Sequence, residues 1–428
     1  MQTTVARCWG MITLIALIFW ESPAWSVSID VKSTPVDPRY GLLGSVRGKD
    51  GAVYTAANDK HPSLDAAPAL FSFNSDGSLK WQRVLFPRFT ANSRPGVADD
   101  GTVYLALSPR FKEGGHDPSA LVALSSAGDV MWRLKLDPWY RITQKVQVSP
   151  DGVIYVAAFS RKGDDLHRSA ILAVNPGGQL RWQYEFAENL TPSGIQTAAV
   201  GGSIYVVADN PLDDARHPSR LLIFQETGGD PLVTSTPVGR RYSLLSPVAA
   251  PDGSVIVAAN HRYSGSPGGV FCFEAAGAQR WFHEFSAKYY VKTPVVVGSD
   301  GAIFLPLSIR RPNAEDQPSL LVLNPDGSER WHTEVEAFNE FSTPISLGNG
   351  AVYMAATNLI GGTPHRSSVL AINLDGTVRW RQEVGRYLAP SGPVPGASGV
   401  VYMSADNPGV ENPSVPAQFF RYDETPNP

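Results

Sequence analysis

Arginine and tyrosine side chains come in pairs along this chain. Arg39-Tyr40, Arg88-Phe89, Tyr140-Arg141, Arg241-Tyr242, Tyr289-Tyr290 and Arg386-Tyr387 recur at a nearly fixed offset. A guanidinium fork suits carboxylates and phosphates, and an aromatic face stacks on sugars or cations. The candidate binding set is therefore Arg39, Tyr40, Arg88, Tyr140, Arg141, Arg241, Tyr242, Tyr290, Arg386 and Tyr387. The aromatic members have a plainer use as well, because a ring that recurs in almost every unit also suits packing between units.

Histidine offers less chemistry than its number suggests. Six of the eight histidines (His61, His116, His167, His217, His261 and His365) fall in polar loop segments. Three precede a serine, in His167-Arg-Ser169, His217-Pro-Ser219 and His365-Arg-Ser367, but Gln317-Pro-Ser319 and Asn412-Pro-Ser414 fill the same slot. A position that accepts His, Gln or Asn asks for a hydrogen bond rather than a proton or a metal. The acidic pairs Asp164-Asp165, Asp213-Asp214 and Glu315-Asp316 also lie in polar loops, with no partner that acid–base catalysis would need. No nucleophile elbow is visible. The expectation is no catalytic residue and no metal site.

The elements that carry these loops repeat. A Val-Tyr-x-Ala-Ala type strand begins at Val53, Val103, Ile154, Ile204, Val255, Ile303, Val352 and Val401, at steps of 48 to 51 residues. Each unit reads as four strands, A to D. Strand A is short and often opens with proline, as at Pro247, Pro294, Pro344 and Pro393. Asp-Gly or Gly-Gly turns follow strands A and C, the strongest short-range hairpin signal because both central residues need positive φ. Strand D carries Trp81, Trp132, Trp182, Trp281, Trp331 and Trp380, expected as wedges between units; unit four has Pro231-Leu232-Val233 instead. Four-stranded meanders at this period predict an all-β, eight-bladed β-propeller of four-stranded antiparallel blades. The eighth unit ends without its fourth strand, and residues 27–31 offer an orphan one. The ring should close by pairing this N-terminal strand with the last C-terminal one.

Residues 1–26 read as a signal peptide. Arg7 precedes the apolar run 11–20, and Ala24-Trp25-Ser26 places small residues before Val27. A retained anchor is the competing reading, although the run is short for a bilayer. The expected organisation is a signal at 1–26 and one propeller domain at 27–428. The product would be exported, periplasmic or secreted, monomeric, and not membrane-spanning after cleavage. Cleavage leaves Cys272 as the lone thiol, so no internal disulfide is expected. A formal net charge of −4 provides no basic field for nucleic acid.

The turn and tryptophan segments Ala371-Ile-Asn373-Leu-Asp375-Gly376-Thr-Val-Arg-Trp380 and Ala173-Val-Asn175-Pro-Gly-Gly178-Gln-Leu-Arg-Trp182 carry a resemblance. They resemble the repeat of quinoprotein-like propellers, which include dehydrogenases dependent on pyrroloquinoline quinone (PQQ) and non-catalytic relatives. Here Asn replaces the family's Asp, and an Asp-Gly or Gly-Gly turn replaces its Thr-Gly. The catalytic relatives carry an adjacent cysteine pair and a Ca²⁺ site of Glu, Asn and Asp. This chain has two cysteines in all, Cys8 and Cys272. The resemblance therefore implies a binding scaffold with no cofactor, recognising a protein or an anionic glycan through its B–C and D–A loops. The alternative is a PQQ- and Ca²⁺-dependent dehydrogenase or a propeller-type polysaccharide lyase.

Overall fold

In the computed structural model the described residues form eight antiparallel blade sheets, one per sequence unit, and a two-stranded ribbon, Leu359–Ile360 with Thr363–Pro364, in the B–C connection of the seventh unit. The described residues are 27–426, apart from 62, 64, 111–117, 143, 161–167, 187–189, 199–201, 211–217, 264, 311–316, 335–339, 358, 361–362, 365–366, 398 and 409–414. The segment 1–26 read as a signal lies outside them. Blades 1 to 7 span residues 40–84, 89–135, 140–185, 191–239, 242–284, 289–334 and 340–385. Blade 8 takes residues 389–426 and completes itself with Val27–Pro35. That N-terminal strand pairs with Gln418–Pro426 in unbroken register from Val27↔Pro426 to Pro35↔Gln418. The predicted closure is present, and it runs four residues further than the orphan segment 27–31.

The architecture follows from period-2 patterning on two greasy faces. Strand B of blade 1, Val53–Asp59, is buried over most of its length. Val53 packs towards blade 8 and Tyr54 towards blade 2, because successive side chains leave a strand on opposite faces. The same alternation around the ring gives eight apolar cores, each shared by two neighbouring blades. A single blade would expose both faces to water, and the closed ring exposes neither.

Strand A differs from its expected form. In blades 2, 3, 5, 6, 7 and 8 it is broken into an outer and an inner piece, for example Tyr242–Leu244 and Val248–Ala249. The prolines do not open the strand. Pro247, Pro294, Pro344 and Pro393 sit in the break, where a residue without an N–H costs no ladder bond. The inner pieces, with their counterparts in blades 1 and 4, touch one another in a closed circle around the axis.

Tryptophan ties the outer parts of the blades together. Trp81, Trp132, Trp281 and Trp331 donate their indole N–H to carbonyls in the next blade's C–D turn, at Ser126 (3.0 Å), Pro176 (2.8 Å), Pro325 (3.0 Å) and Leu374 (2.8 Å). Each ring lies on a turn glycine (Gly128, Gly178, Gly327, Gly376) with φ between 86° and 89°. Glycine is required twice over there, by the positive φ and by the indole against it. Trp182 and Trp380 find carboxylates instead: Glu226 at 2.9 Å and Glu424 at 3.4 Å. Blades 4 and 8 have no tryptophan in strand D and use threonine, with Thr236 donating to Gly277 O (2.9 Å) and Thr34 to Gly77 O (2.8 Å). The ring thus repeats every four blades as well as every blade. Unit four, irregular in sequence, is the counterpart of unit eight.

Candidate functional site

In a meander, the B–C and D–A loops share one face of the ring and the tight A–B and C–D turns share the other. The Arg/Tyr set falls at the D–A loops, at or just before strand A, and the structure divides it. Tyr40 and Tyr140 are fully buried in inter-blade cores, where Tyr140 OH accepts from Gln183 at 3.1 Å. Burial holds both hydroxyls above the usual tyrosine value. Tyr242 is half-buried and meets Phe271, Phe282 and His261 edge-on. Tyr290 lies under Lys292 (5.5 Å) and Arg310 (5.1 Å), and Arg386 covers Tyr387 at 5.0 Å.

The arginines divide as well. Arg39 is held by Asp59 at 2.7 Å. Arg88, Arg141 and Arg241 are exposed, and among the described residues no carboxylate pairs with them. Arg88 and Tyr387 are the two non-glycine residues with positive φ among those described, at 68° and 70°. An L side chain in that region costs on the order of 1–2 kcal/mol.

Three basic residues that sequence reading passed over prove to be inter-blade clamps. Each follows strand B and reaches back to the preceding blade. Lys60 bonds Asp406 at 2.9 Å, and Arg110 donates to Asp59 O (2.9 Å) and His61 O (2.7 Å). Arg262 pairs with Asp209 at 3.2 Å. Their one shared signal was position, a basic residue directly after the Val-Tyr strand, as in Asn-Asp-Lys60 and Asn-His-Arg262. The serine two residues after that polar slot is also a tie, since Ser119 donates to Tyr140 O (3.0 Å) and Ser219 to Tyr242 O (2.9 Å). His261 accepts from the Tyr263 N–H at 3.2 Å and so braces its own loop. His116, His167, His217, His365 and the three acidic pairs lie outside the described residues. Cys272 is buried, and burial pushes its thiol up, away from the reactive thiolate.

The axis is lined by one residue per blade. Counting three residues back from the innermost A–B pair, such as Val97↔Val103 and Val148↔Ile154, gives Gly44, Arg94, Lys145, Gly194, Ser246, Pro294, Thr343 and Gly392. Neighbouring members touch: a Cβ on Gly44 would lie 3.4 Å from Arg94 Cβ, and one on Gly194 2.4 Å from Ser246 Cα. This circle holds two cations and no carboxylate. It does not suit a quinone–Ca²⁺ pair, whose metal needs anionic oxygen ligands.

The fold, the closing strand and the tryptophan–turn repeat define the class as quinoprotein-like eight-bladed propellers. The family model described as outer membrane protein assembly factor BamB matches residues 21–282, more than half of the chain, and the chain belongs to that family. No curated protein matches it. Among solved structures it is similar to a europium-containing methanol dehydrogenase (TM-score 0.60, 11% identity, 92% of this chain and 93% of that one). It is also similar to the quinohemoprotein alcohol dehydrogenase ADHIIG of Pseudomonas putida HK5 (TM-score 0.61, 12% identity, 92% and 76%). A third is the WD40 domain of SCAP from fission yeast (TM-score 0.53, 9% identity, 92% and 98%). Identities this low show a shared fold and nothing of activity. No helix among the described residues is long and apolar enough to cross a membrane.

Proposed function

We propose that the chain is an exported, non-catalytic propeller scaffold that binds a protein partner with an acidic surface through its B–C and D–A loop face. The observation that carries this is the exposed Arg88, Arg141 and Arg241, which no described carboxylate neutralises, on the same face as clamps that do find acids. Arg88 is also held in a conformation that glycine would adopt at less cost. Strain kept at an exposed, unpaired cation is a feature of binding sites. Membership in a family described as an assembly factor, and the export signal read in residues 1–26, support a protein partner outside the cytoplasm. The ring supplies rigidity and the loops supply recognition.

The test is site-specific photo-cross-linking in the cell envelope. A photoreactive residue at Arg141 or Arg241 should give an adduct of one defined mass. The same residue at Asp76 or Asp326, in C–D turns on the opposite face, should give none. The double charge reversal Arg88→Glu/Arg241→Glu should lower the rim adduct at least tenfold without moving the melting temperature. Equal adducts on both faces, or rim adducts indifferent to charge reversal, would sink the proposal.

A further inference from the structure

Of the eight axial positions, six carry Gly, Ser, Thr or Pro. The two long side chains, Arg94 and Lys145, are both basic and sit on adjacent blades. The other positions add only short side chains to the circle. The Arg94 stem runs along Gly44 of blade 1, where a Cβ would come within 3.4 Å. Solvent reaches Arg94, and Lys145 is half-buried, yet strands surround both on all sides. A solvent-accessible position inside the closed circle of inner strands accounts for that combination.

The two charges have no answering acid among the described residues. The strands packed against Lys145 bring Arg94 from blade 2 and no titratable group from strand A of blade 4, Thr191–Thr197. Strand B of its own blade brings Tyr155, whose hydroxyl is turned to Glu226 at 2.9 Å. Enclosure lowers the Arg94 guanidinium below its ordinary value. It pulls the Lys145 ammonium down to about 7, with the Arg94 charge adding to the effect. Two like charges confined together are unfavourable unless an anion joins them. Elsewhere in this ring partly buried cations do have acids, as Arg262 has Asp209 and Arg379 has Glu424.

We propose that Arg94 and Lys145 form a site in the central bore for a small multivalent oxyanion, a phosphate or a dicarboxylate, bridged between blades 2 and 3. The guanidinium supplies a planar fork and the ammonium a point charge, a pairing that suits one doubly charged ligand. This site is separate from the rim and stands or falls independently of the rim reading.

Binding must carry a pH signature. The anion favours protonated Lys145, so affinity is greatest below pH 7 and falls as pH rises through 7. Sulfate keeps its charge across this range and isolates the contribution of the lysine. Titration calorimetry of the full chain with sulfate should show one saturable site, weakening roughly tenfold between pH 6 and pH 8.5. The measured heat should depend on the ionisation enthalpy of the buffer, reporting proton uptake. Parallel titrations with inorganic phosphate and succinate identify which oxyanion geometry the bore prefers. Arg94→Gln and Lys145→Met should each weaken binding at least tenfold, while Arg83→Ala at the exposed Asp129 pair leaves it unchanged.

The unliganded protein gives a second readout. A lysine lowered from 10.5 to about 7 is protonated more readily in the unfolded chain between those values. Stability should therefore rise with pH across that window, and Lys145→Met should remove that rise. Lys145→Met relieves a repulsion, so the variant is expected to fold. Absence of saturable binding to all three anions at pH 6, or binding that survives both substitutions, would overturn the proposal.

Discussion

The first four blades and the last four are two versions of one half-ring, and setting them side by side separates architecture from function. They agree on how blades are joined. Trp182 meets Glu226 where Trp380 meets Glu424. Thr236 caps Gly277 where Thr34 caps Gly77. Arg262 reaches back to Asp209 where Lys60 reaches back to Asp406. They disagree on the axis and on the rim. Arg94 stands opposite Pro294, and Lys145 opposite Thr343. Arg88, strained and unpaired, stands opposite Lys288, which has an ordinary backbone and bonds Glu334 at 3.0 Å. What recurs at four-blade spacing holds the ring together. What does not recur is free to bind something.

The largest effect should come from the one place where the halves cannot match. Strand D of blade 4 is continuous with its own blade, whereas strand D of blade 8 arrives from the N-terminus. A chain lacking residues 27–35 loses nine residues of paired backbone and uncovers the last core, including Phe420 and Tyr422. At a net value of about 1 kcal/mol per hydrogen bond, nine paired residues put the loss on the order of 5–10 kcal/mol. Urea titration should show a lowered midpoint, and adding residues 27–35 back as a peptide should restore part of it. An unchanged midpoint would mean that the ring does not depend on its closure.

A smaller effect tests whether the paired carboxylates are equivalent. Glu424 is 4% exposed and takes Arg379, Tyr353 (2.5 Å) and Trp380; Glu226 is 18% exposed and takes Arg181 (3.0 Å), Tyr155 and Trp182. Removing one partner of a buried ion pair costs about 3–5 kcal/mol, and a partly solvated hydrogen-bonded one about 1–2 kcal/mol. Glu424→Ala should therefore destabilise about 3 kcal/mol, and Glu226→Ala about 1–2 kcal/mol, by urea unfolding. The reverse order would show that the four-blade symmetry is geometric and not energetic.

The fold was legible in the chain because its signals are local. An Asp-Gly turn, a Val-Tyr strand and a tryptophan seven or eight residues after the end of strand C state a blade without reference to anything distant. Which of the rim arginines are held, and that Arg94 and Lys145 meet, were not, because both depend on partners far away in sequence. Arg39 and Arg241 look alike until Asp59 is found beside one of them. Lys60 becomes a clamp through Asp406, at the other end of the chain. Arg94 and Lys145 share no motif; they meet through the register of the break in strand A, which no propensity encodes. Pro231-Leu232-Val233 read as a lapse in the pattern, and its match in blade 8 appears only once the N-terminal strand is in place.

The smallest effect bears most directly on the unmatched rim. Arg88 has φ of 68°, while Lys288, four blades away, needs no such backbone. Glycine enters this region freely, at the cost of a more flexible unfolded chain. Arg88→Gly should leave stability unchanged or raise it by about 1 kcal/mol, read as a rise in urea midpoint at constant slope. Lys288→Gly, at the matched position, should lower stability by a similar amount, since no strain is relieved there and the Glu334 pair is lost. A gain at Arg88 together with a weaker rim adduct would mark an arginine kept for recognition against its own backbone preference. A loss of stability at Arg88 would make it one more strut, like Arg39.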